Sequence, residues 1–385
     1  MIVTRVKLKN WRNFRAVDAH LRERTYLLGA NASGKSNFLD VFRFLRDVSK
    51  TQGGGLQKAI SSRGGLQKLR CLHARSDPEV RIEVHLAESA DATEPLWRYT
   101  IGFKSEGKGA QRTLISSEEV WRNEDRLLVR PDAADKKDLA RLTQTALEQI
   151  QVNGDFRELA TFFGATTYLH LVPQLLKYGD SIGGRRLDDD PFGQGFLERV
   201  ARTPRPTRDA RLKRIQNALA AAVPQFDELR FVQDGTTGRP HLEARYSHFR
   251  PKAGWQREEH FSDGTLRLIG LLWILLDGDS LLLLEEPELS LNDAIVKEIP
   301  DLMRRVLRGK KKERQVLIST HSEALLSNRG IDARGVLVLE PGQEGSKMRG
   351  TTEEEDFALG HGFSIAETVL PKTRPANVEQ LSFWE

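Results

Sequence analysis

The residues best able to do chemistry form the stretch Gly29-Ala30-Asn31-Ala32-Ser33-Gly34-Lys35-Ser36, which has the spacing G-x-x-x-x-G-K-S of a phosphate-binding P-loop. Its glycines allow the tight turn that directs successive backbone N–H groups at the β- and γ-phosphates of a nucleotide. Lys35 adds a positive charge to the same phosphates, and the Ser36 hydroxyl is placed to coordinate Mg²⁺. The pattern predicts a site for ATP and Mg²⁺.

The segments on either side of this loop have the patterns that such a site requires. Arg24–Leu28 predicts a short buried strand, and Asn37–Leu45 has the spacing of an amphipathic helix. The N-terminus of that helix would face the anion. A Gly/Ser loop can match the motif by chance, but a strand before it and a helix after it favour a functional site.

A second group of polar residues follows the apolar run Leu281–Leu284. Glu285 and Glu286 end this predicted strand, and functional groups of an open α/β sheet lie at the carboxyl edge of its strands. One carboxylate can complete the Mg²⁺ shell while the other orients the attacking water. An exposed glutamate pair is the alternative, and the accompanying P-loop favours the functional interpretation.

Two further segments fit the same chemistry. Val316–Ser322 predicts another buried strand, with His321 near its end, 35 positions after Glu286 (321 − 286), and we predict that His321 senses the γ-phosphate. Ser262-Asp263-Gly264-Thr265 precedes the apolar helix predicted at Leu266–Leu276, with Ser262 as N-cap and free N–H groups that make an anion site. Taken alone, a structural histidine and an ordinary helix cap are the simpler interpretations.

Composition narrows the class of protein. The net charge of +5 permits a polyanionic partner without requiring one, and the lone Cys71 excludes an intrachain disulfide and suits a reducing cytosol. The first residues lack the apolar core of a secretory signal, and Asp277-Gly278-Asp279 interrupts the most apolar region before it reaches membrane-spanning length. We therefore expect a cytoplasmic protein with no membrane partner.

Periodicity predicts an α/β fold: a mixed sheet flanked by helices, with a β-rich N-terminal lobe and a helical insertion. We expect residues 1–130 to form the first lobe with the P-loop, 131–225 the mostly helical, arginine-rich insertion, and 226–385 the C-terminal lobe. Gly53–Gly65 has the composition of a loop, and two later segments are expected to resume the sheet, namely Phe226–Phe231 and His241–Tyr246. Alternating strands of the first lobe are predicted at Ile2–Lys9, Val17–Leu21, Val80–Leu86, Trp97–Phe103 and Glu118–Trp121.

In this order, the P-loop, Ser262–Thr265, Leu281–Glu286 with Pro287–Leu291, and Ser319–His321 resemble the ABC-type ATPase heads of the RecF/SMC/OLD group, in its small AAA-family branch. The opening Lys9–Phe14 is similar to the N-terminal hairpin of that group. The resemblance covers residues 1–49 and 261–339 well and the middle only loosely. It implies a P-loop NTPase of the ABC-ATPase type, without a coiled-coil arm or a Toprim domain.

The resemblance also implies roles for individual residues. Glu286 is the general base, His321 the switch histidine, and Glu285 joins Ser36 at the metal, where the family usually has Asp. The signature Ser262-Asp263-Gly264 would close over ATP bound to the opposite subunit of a homodimer, and Pro287–Leu291 would be the D-loop that crosses it. The nucleotide would contact Arg12, Asn31, Ala32, Ser33, Gly34, Lys35, Ser36, Asn37, Ser262 and Gly264.

Three positions depart from that pattern or leave it open. Glu285 has a side chain one methylene longer than Asp, which bears on tight Mg²⁺ geometry. Asp263 replaces the first glycine of the signature and places a negative charge near a phosphate site. The glutamine of the family's Q-loop has three candidates, which are Gln57, Gln67 and Gln174.

Three functions fit these features. A DNA-linked ATPase, in repair or anti-phage defence, would clamp two heads on ATP, and it is favoured by the Arg12 hairpin and by a basic run. An ATP-sensing subunit would instead control a separately encoded effector, such as a nuclease, without binding DNA itself. The ATP-binding subunit of a transporter is disfavoured by the Asn10–Phe14 hairpin and by the lack of any membrane partner helix. The basic run consists of Arg199, Arg202, Arg205, Arg208, Arg211, Lys213 and Arg214.

Overall fold

The computed structural model describes residues 1–74, 77–107, 112–179, 187, 189–247, 254–307 and 314–373. Its strands are β1 (Ile2–Trp11), β2 (Phe14–His20), β3 (Arg24–Leu28), β4 (Val80–Ala87), β5 (Trp97–Ser105), β6 (Thr113–Arg122), β7 (Asp125–Arg130), β8 (Thr167–Leu169), β9 (Phe226–Gln233), β10 (Pro240–Tyr246), β11 (Gln256–Arg257), β12 (Leu282–Glu285), β13 (Val316–Ser319), β14 (Val336–Glu340) and β15 (Lys347–Arg349).

Helices connect and cover these strands. They are α1 (Lys35–Ser49), α2 (Leu56–Ser61), α3 (Leu66–Leu69), α4 (Ala133–Lys137), α5 (Arg157–Gly164), α6 (Pro173–Tyr178), α7 (Phe196–Arg202), α8 (Arg205–Ala222), α9 (Asp263–Leu276), α10 (Asp293–Leu307), α11 (Glu323–Leu326), α12 (Glu353–Gly360) and α13 (Ile365–Thr368). Among the described residues, every helix is too short or too polar to span a bilayer.

The N-terminal sheet is antiparallel throughout, with the spatial order β2-β1-β4-β5-β6-β7. Alternating side chains of its strands are buried, as in β4, where Val80, Ile82 and Val84 face the core. This is the alternation expected of a sheet that packs on one face. The apolar side of α1 covers that face, with Phe38, Phe42 and others in the same core as the strands. The predicted β-rich lobe is confirmed.

The second sheet has the order β15-β14-β3-β13-β12-β8, and its neighbours are parallel except for the β14–β15 pair. Strand β3, which leads into the P-loop, lies between β13 and β14. Residues 1–130 and 226–385 therefore share one sheet, and the division of the chain into three segments remains a prediction. Parallel strands buried on both faces account for the continuous apolar runs seen in the sequence.

Three local expectations differ from the structure. The segments at β9 and β10 do not resume a larger sheet: they pair with each other and with β11 in a separate three-stranded sheet. Their inward side chains, Leu229 and Leu242, are buried in the core that contains α9. The glycine-rich connection contains α2, because Leu56, Ala59 and Ile60 recur at helical spacing and are buried. Strand β8 was not predicted.

Two buried polar side chains tie distant parts of the chain together. Arg314 donates to the carbonyls of Ile274, Asp277 and Ser280, which joins the end of α9 to the start of β12. Gln315 accepts from the N–H of Val3 at 2.8 Å and donates to the Val3 carbonyl at 2.7 Å. Because buried polar groups are costly unless they are paired, both contacts fix the relative positions of the elements that they join.

Candidate functional site

The P-loop turns sharply between β3 and α1. Gly34 has a φ of 109° and Ala32 a φ of 62°, both in the left-handed region. A Cβ added to Gly34 would lie 2.3 Å from Nδ2 of Asn13, so glycine is required there by space as well as by backbone angle. The N-terminal N–H groups of α1 are therefore directed at the position of an anion.

Lys35 places its charge within this turn. Its Nζ donates to the carbonyls of Gly29 at 2.7 Å and Ala30 at 3.1 Å, and the side chain is buried. Burial lowers the pKa of Lys35, and the nearby carboxylates of Glu286 and Glu285 oppose that shift. The carboxyl edge of the second sheet thus brings the predicted lysine and the predicted acidic pair into electrostatic contact.

The tip of the β1–β2 hairpin contacts the P-loop through Asn13, which was not among the predicted site residues. Its Nδ2 donates to the Ser33 carbonyl at 2.9 Å, and its Oδ1 accepts from Nδ2 of Asn37 at 2.8 Å. The Asn10–Phe14 motif predicts the hairpin but does not indicate which hairpin side chain contacts the P-loop.

Arg12 turns instead toward Asp40 on α1, with Nη2 at 2.5 Å from Oδ2. Burial would raise the pKa of Asp40, but the guanidinium groups of Arg63 and Arg12 outweigh this effect and hold it below its usual value. The expected contact between Arg12 and the nucleotide phosphates therefore stays a prediction.

The candidate metal ligands, Ser36 and Glu285, lie in direct contact. The Ser36 hydroxyl donates to Oε1 of Glu285, and the hydroxyl of Tyr168 donates to Oε2 of the same carboxylate. Hydroxyl and carboxylate oxygens are the donors that Mg²⁺ prefers, so this pair fits the ion that the family uses. The longer arm of Glu285 bridges the end of β12 and the start of α1.

Tyr168 lies on β8, the strand that was not predicted. Burial and the adjacent Glu285 carboxylate raise the pKa of Tyr168, which keeps its hydroxyl protonated and therefore a donor. The ring of Tyr168 also lies beneath the guanidinium of Arg43, 4.1 Å from its centroid. Both contacts fix the orientation of Glu285, as an outer-shell partner does for a metal ligand.

Glu286 and His321, the predicted base and switch histidine, are also brought together. Nδ1 of His321 lies 3.1 Å from Oε1 of Glu286, and Glu286 has a left-handed φ of 45°. Glu288 is less suited to the role of base, because it is buried and accepts from Oγ1 of Thr320 at 2.6 Å. Burial raises the pKa of Glu288 as well.

The signature segment caps helix α9 as predicted. Oγ of Ser262 accepts from the N–H of Thr265 at 3.1 Å. Asp263 is paired with Nζ of Lys177 at 2.7 Å and accepts from Nε2 of Gln174 at 2.9 Å. The negative charge that replaces glycine in this signature is therefore matched by a lysine from α6.

Gly264 also has a steric role, since an added Cβ would lie 2.7 Å from the carbonyl oxygen of Ser290. Of the three Q-loop candidates, Gln174 lies beside the signature, whereas Gln57 donates to the carbonyls of Thr113 and Thr143. The identity of the Q-loop glutamine remains a prediction.

Arg267 joins the signature helix to the residues that follow β12, where the predicted base lies. From the apolar helix α9 it donates to the carbonyls of Leu289 at 2.9 Å and Glu286 at 3.4 Å, and also to that of Leu171. Burial lowers the pKa of Arg267, while the nearby Glu288 carboxylate opposes this. The only indication of this contact in the sequence is an arginine in the segment Asp263–Leu276, which is otherwise almost entirely apolar.

Among the described residues, the signature and the P-loop are not joined directly within one chain. In the ranges that the structure describes, no hydrogen bond or ion pair links residues 262–264 to the P-loop residues 29–36. Each chain thus has a P-loop with its acidic residues, and a separate helix N-terminus at the signature.

Most of the predicted basic run is engaged within the chain. Arg211 pairs with Asp277 at 2.9 Å, Arg208 lies 3.9 Å above the ring centroid of Phe231, and Arg214 donates to the Val306 carbonyl. Arg199 and Arg205 also have carboxylate neighbours, Asp190 and Asp209. Five arginines of the run therefore have partners within the chain, so their presence does not require a nucleic-acid partner.

Comparisons with known proteins agree with this geometry. Residues 24–327 match the family described as "AAA domain, putative AbiEii toxin, Type IV TA system". The chain is similar in structure to an SMC head bound to the C-winged helix domain of ScpA, with 16% identity, a TM-score of 0.57, and coverage of 93% of this chain and 100% of that one. Comparison with curated proteins gave no match.

A second similar structure is the SMC head domain with an extended coiled coil bound to the C-terminal domain of ScpA from Pyrococcus furiosus. It has 15% identity and a TM-score of 0.51, and the alignment covers 93% of this chain and 98% of that one. The predicted ABC-ATPase-type fold and the resemblance to the RecF/SMC group are confirmed.

Proposed function

Because the chain belongs to the AAA-domain family described as a putative AbiEii toxin of a type IV toxin–antitoxin system, we propose that it binds ATP with Mg²⁺ and hydrolyses it in a site shared by two subunits. The observation that carries this proposal is the contact set at one sheet edge. Ser36 touches Glu285, and the neighbouring Glu286 pairs with His321. These are the residue types that phosphoryl transfer to water requires.

The residues act as follows. Lys35 and the N-terminus of α1 bind the β- and γ-phosphates, and Ser36 and Glu285 hold Mg²⁺, which neutralises phosphate charge when bound. Glu286 accepts the proton of the attacking water, since it is more exposed than Glu288 and adjoins the metal ligand. His321 holds the Glu286 carboxylate and contacts the γ-phosphate, so its position responds to hydrolysis.

Dimerisation follows from the separation of the two anion sites. Ser262 caps a helix N-terminus that has no phosphate-binding partner in its own P-loop, so it completes the site of a second subunit. Nucleotide binding and dimerisation are then coupled by mass action. Arg267 transmits closure of this interface to Glu286, because it donates to the carbonyl of that residue.

The work that this cycle drives has two candidate forms. One is a DNA-linked clamp for repair or anti-phage defence, supported by the positive net charge of the chain. The other is an ATP-sensing subunit that switches a separately encoded effector, such as a nuclease, without binding DNA itself. The engagement of Arg208, Arg211 and Arg214 within the chain favours the second form over direct contact through the basic run. The cytoplasmic location stays a prediction.

The shared site is tested by complementation. Ser262→Arg should abolish ATP-dependent dimers and turnover while leaving ATP binding by the monomer intact, because the change is outside the P-loop. An equimolar mixture of Ser262→Arg and Lys35→Ala supplies one intact P-loop facing one intact signature, and should recover part of the activity. Dimers are measured by analytical ultracentrifugation and turnover by phosphate release, with Lys213→Ala as the control. Wild-type turnover by Ser262→Arg alone would contradict a shared site.

Measurement of DNA binding at two salt concentrations distinguishes the DNA-linked clamp from the ATP-sensing subunit. A clamp should bind duplex DNA more tightly with ATP than without it, with an affinity that falls steeply with salt. A purely regulatory subunit should show the ATP-dependent dimer and no ATP-dependent DNA binding. The Glu286→Gln protein is used for both measurements, because stalled hydrolysis holds the ATP-bound state.

A further inference from the structure

A polar cavity lies beside the P-loop helix, on a side that residues 29–36 do not line. Its volume is about 430 Å³, and it is enclosed by α1, α2, the hairpin residue Arg12 and the segment around Asp189. We call it the α1 cavity. That volume is within the range of small-molecule sites in proteins, roughly 300–1,000 Å³. The described residues that line it include five cations, Arg12, Arg43, Lys50, Lys58 and Arg63, and three carboxylates, Asp40, Asp47 and Asp189.

The three carboxylates are already saturated with cations. Asp40 accepts from Arg12 and Arg63, at 2.5 Å and 3.0 Å, and is almost fully buried. Asp47 pairs with Arg63 at 2.9 Å and with Arg46 at 3.0 Å. None of the three therefore offers a free carboxylate that would repel an anion entering the α1 cavity.

Asp189 is saturated in the same way, because Nζ of Lys50 lies 2.6 Å from it and Arg46 also donates to it. Arg46 and Lys50 together hold the pKa of Asp189 below its usual value against the opposing effect of burial. The lining of the α1 cavity thus retains an excess of two positive charges over negative ones.

That excess is located on Arg43 and Lys58. Among the described residues, Arg43 forms an ion pair only with Asp40, at 3.8 Å, and the buried Nε of Arg43 has no hydrogen-bond partner there. The guanidinium is held in place by the Tyr168 ring beneath it. Lys58 is exposed at the rim and forms no ion pair with any residue that the structure describes.

We propose that the α1 cavity binds a phosphate monoester, with Arg43 and Lys58 as the groups that contact it. A phosphate monoester carries close to two negative charges at pH 7 and matches the charge excess of the lining. Arg43 can present two N–H groups of its planar guanidinium to two phosphate oxygens, and Lys58 adds a flexible point charge. The ester group is either that of a free nucleotide or that of a 5′-phosphorylated nucleic-acid end, since the chemistry recognised is the same.

The test uses the full chain with Lys35→Ala, so that the P-loop does not compete for phosphate. Titration calorimetry measures the binding of AMP, and of a short single-stranded oligonucleotide with either a 5′-phosphate or a 5′-hydroxyl. Adding Lys58→Ala or Arg43→Ala should weaken binding of the phosphorylated probe about tenfold, by removing a charge-assisted contact. Lys68→Ala removes an equally exposed lysine outside the cavity and should change nothing. Because Lys58 is exposed at the rim, its loss leaves the packed core intact.

Each outcome decides the proposal. Binding of AMP alone identifies a free nucleotide as the source, and preference for the 5′-phosphorylated oligonucleotide identifies a nucleic-acid end. The proposal is overturned if no phosphorylated probe binds, or if Lys68→Ala weakens binding as much as Lys58→Ala does. It does not depend on hydrolysis, so a failure of the proposed ATPase activity would leave these measurements unaffected.

Discussion

The P-loop and the signature of this protein are built in different ways. At the P-loop, side chains from distant segments meet around one anion position, as when Ser36 and Tyr168 both donate to Glu285. At the signature, Ser262 caps its own helix, and Asp263 is neutralised by Lys177. The first half is self-contained within the chain. The second half is a capped helix N-terminus, and we propose that its ligand is the nucleotide of a second subunit.

From this difference we infer which contacts couple the two proposed subunits and which only maintain the local geometry of one half. Arg267 connects the two halves, since it lies on the signature helix and donates to the carbonyls of Glu286 and Leu289, which follow β12. Changes at the P-loop should therefore act on each subunit alone, while changes at the signature should act only through the pair. The experiments below separate these two classes of effect.

The largest effect is expected from Glu286→Gln, which keeps the shape of the side chain but removes the base. We expect turnover to fall about 10²–10³-fold while ATP binding persists, because the loss is confined to the transition state. Dimers formed with ATP should last longer than in the wild type. Phosphate release and sedimentation are the measurements, with Glu298→Gln on the exposed side of α10 as the control. Unchanged turnover would show that Glu286 is not the base and would leave Glu285 and Glu288 as the next candidates.

Lys35→Ala should weaken ATP binding about a hundredfold, because the phosphates lose charge-assisted hydrogen bonds worth about 1.5–3 kcal/mol each. Since this site is self-contained, the loss should be the same in monomeric Ser262→Arg protein. Binding is followed with a fluorescent ATP analogue, and Lys297→Ala serves as the matched lysine control. Wild-type affinity in Lys35→Ala would show that the P-loop is not the nucleotide site.

Tyr168→Phe tests the outer shell of the metal site without altering packing. Removal of the hydroxyl leaves Oε2 of Glu285 without this donor, and we expect the Mg²⁺ concentration for half-maximal turnover to rise about tenfold. Tyr178→Phe, an exposed tyrosine on α6, is the control. If both variants need the same Mg²⁺ as the wild type, Glu285 is not oriented through Tyr168.

The smallest effect is expected at the signature, from Lys177→Ala. The Asp263 carboxylate then loses its ion pair and faces the phosphate of the partner, so the ATP-dependent dimer should weaken about threefold. Adding Asp263→Asn should restore the wild-type dimer, because the uncompensated charge is gone. The dissociation constant of the dimer is measured by sedimentation with ATP and Glu286→Gln protein. A loss that Asp263→Asn does not reverse would mean that Lys177 acts by packing.

The sequence predicted correctly those elements whose pattern lies within a single segment of the chain. The P-loop spacing, the strands predicted at Leu281–Glu286 and Val316–Ser322, and the cap at Ser262 are all local patterns. The structure has an element at each, although the second strand ends at Ser319 and His321 lies just beyond it. The fold class followed from them, because apolar runs joined by helices specify a parallel sheet. The roles of the individual side chains remain predictions.

Contacts between distant positions could not be predicted in this way. Tyr168 and Glu285 are 117 positions apart, and nothing local to β8 indicates a partner for that tyrosine. Arg267 donates to the carbonyls of Leu171 and Leu289, and nothing within the apolar helix α9 indicates these partners. The separate sheet of β9 and β10 was missed for the same reason, because alternation specifies a strand but not its neighbour.

The position of β3 between β13 and β14 has a consequence for the order in which this protein is made. The strand that leads into the P-loop is translated before both of its neighbours in the sheet, which come about 290 residues or more later in the chain. Gln315, which forms hydrogen bonds with the N–H and the carbonyl of Val3 in β1, is translated 312 positions after that residue. Until those neighbours have been made, β3 is an unpaired apolar strand, which is the kind of segment that aggregates or recruits chaperones. The candidate nucleotide site is likewise complete only after β12 and β13 have been translated, because Glu285 ends the first of these strands and His321 follows the second.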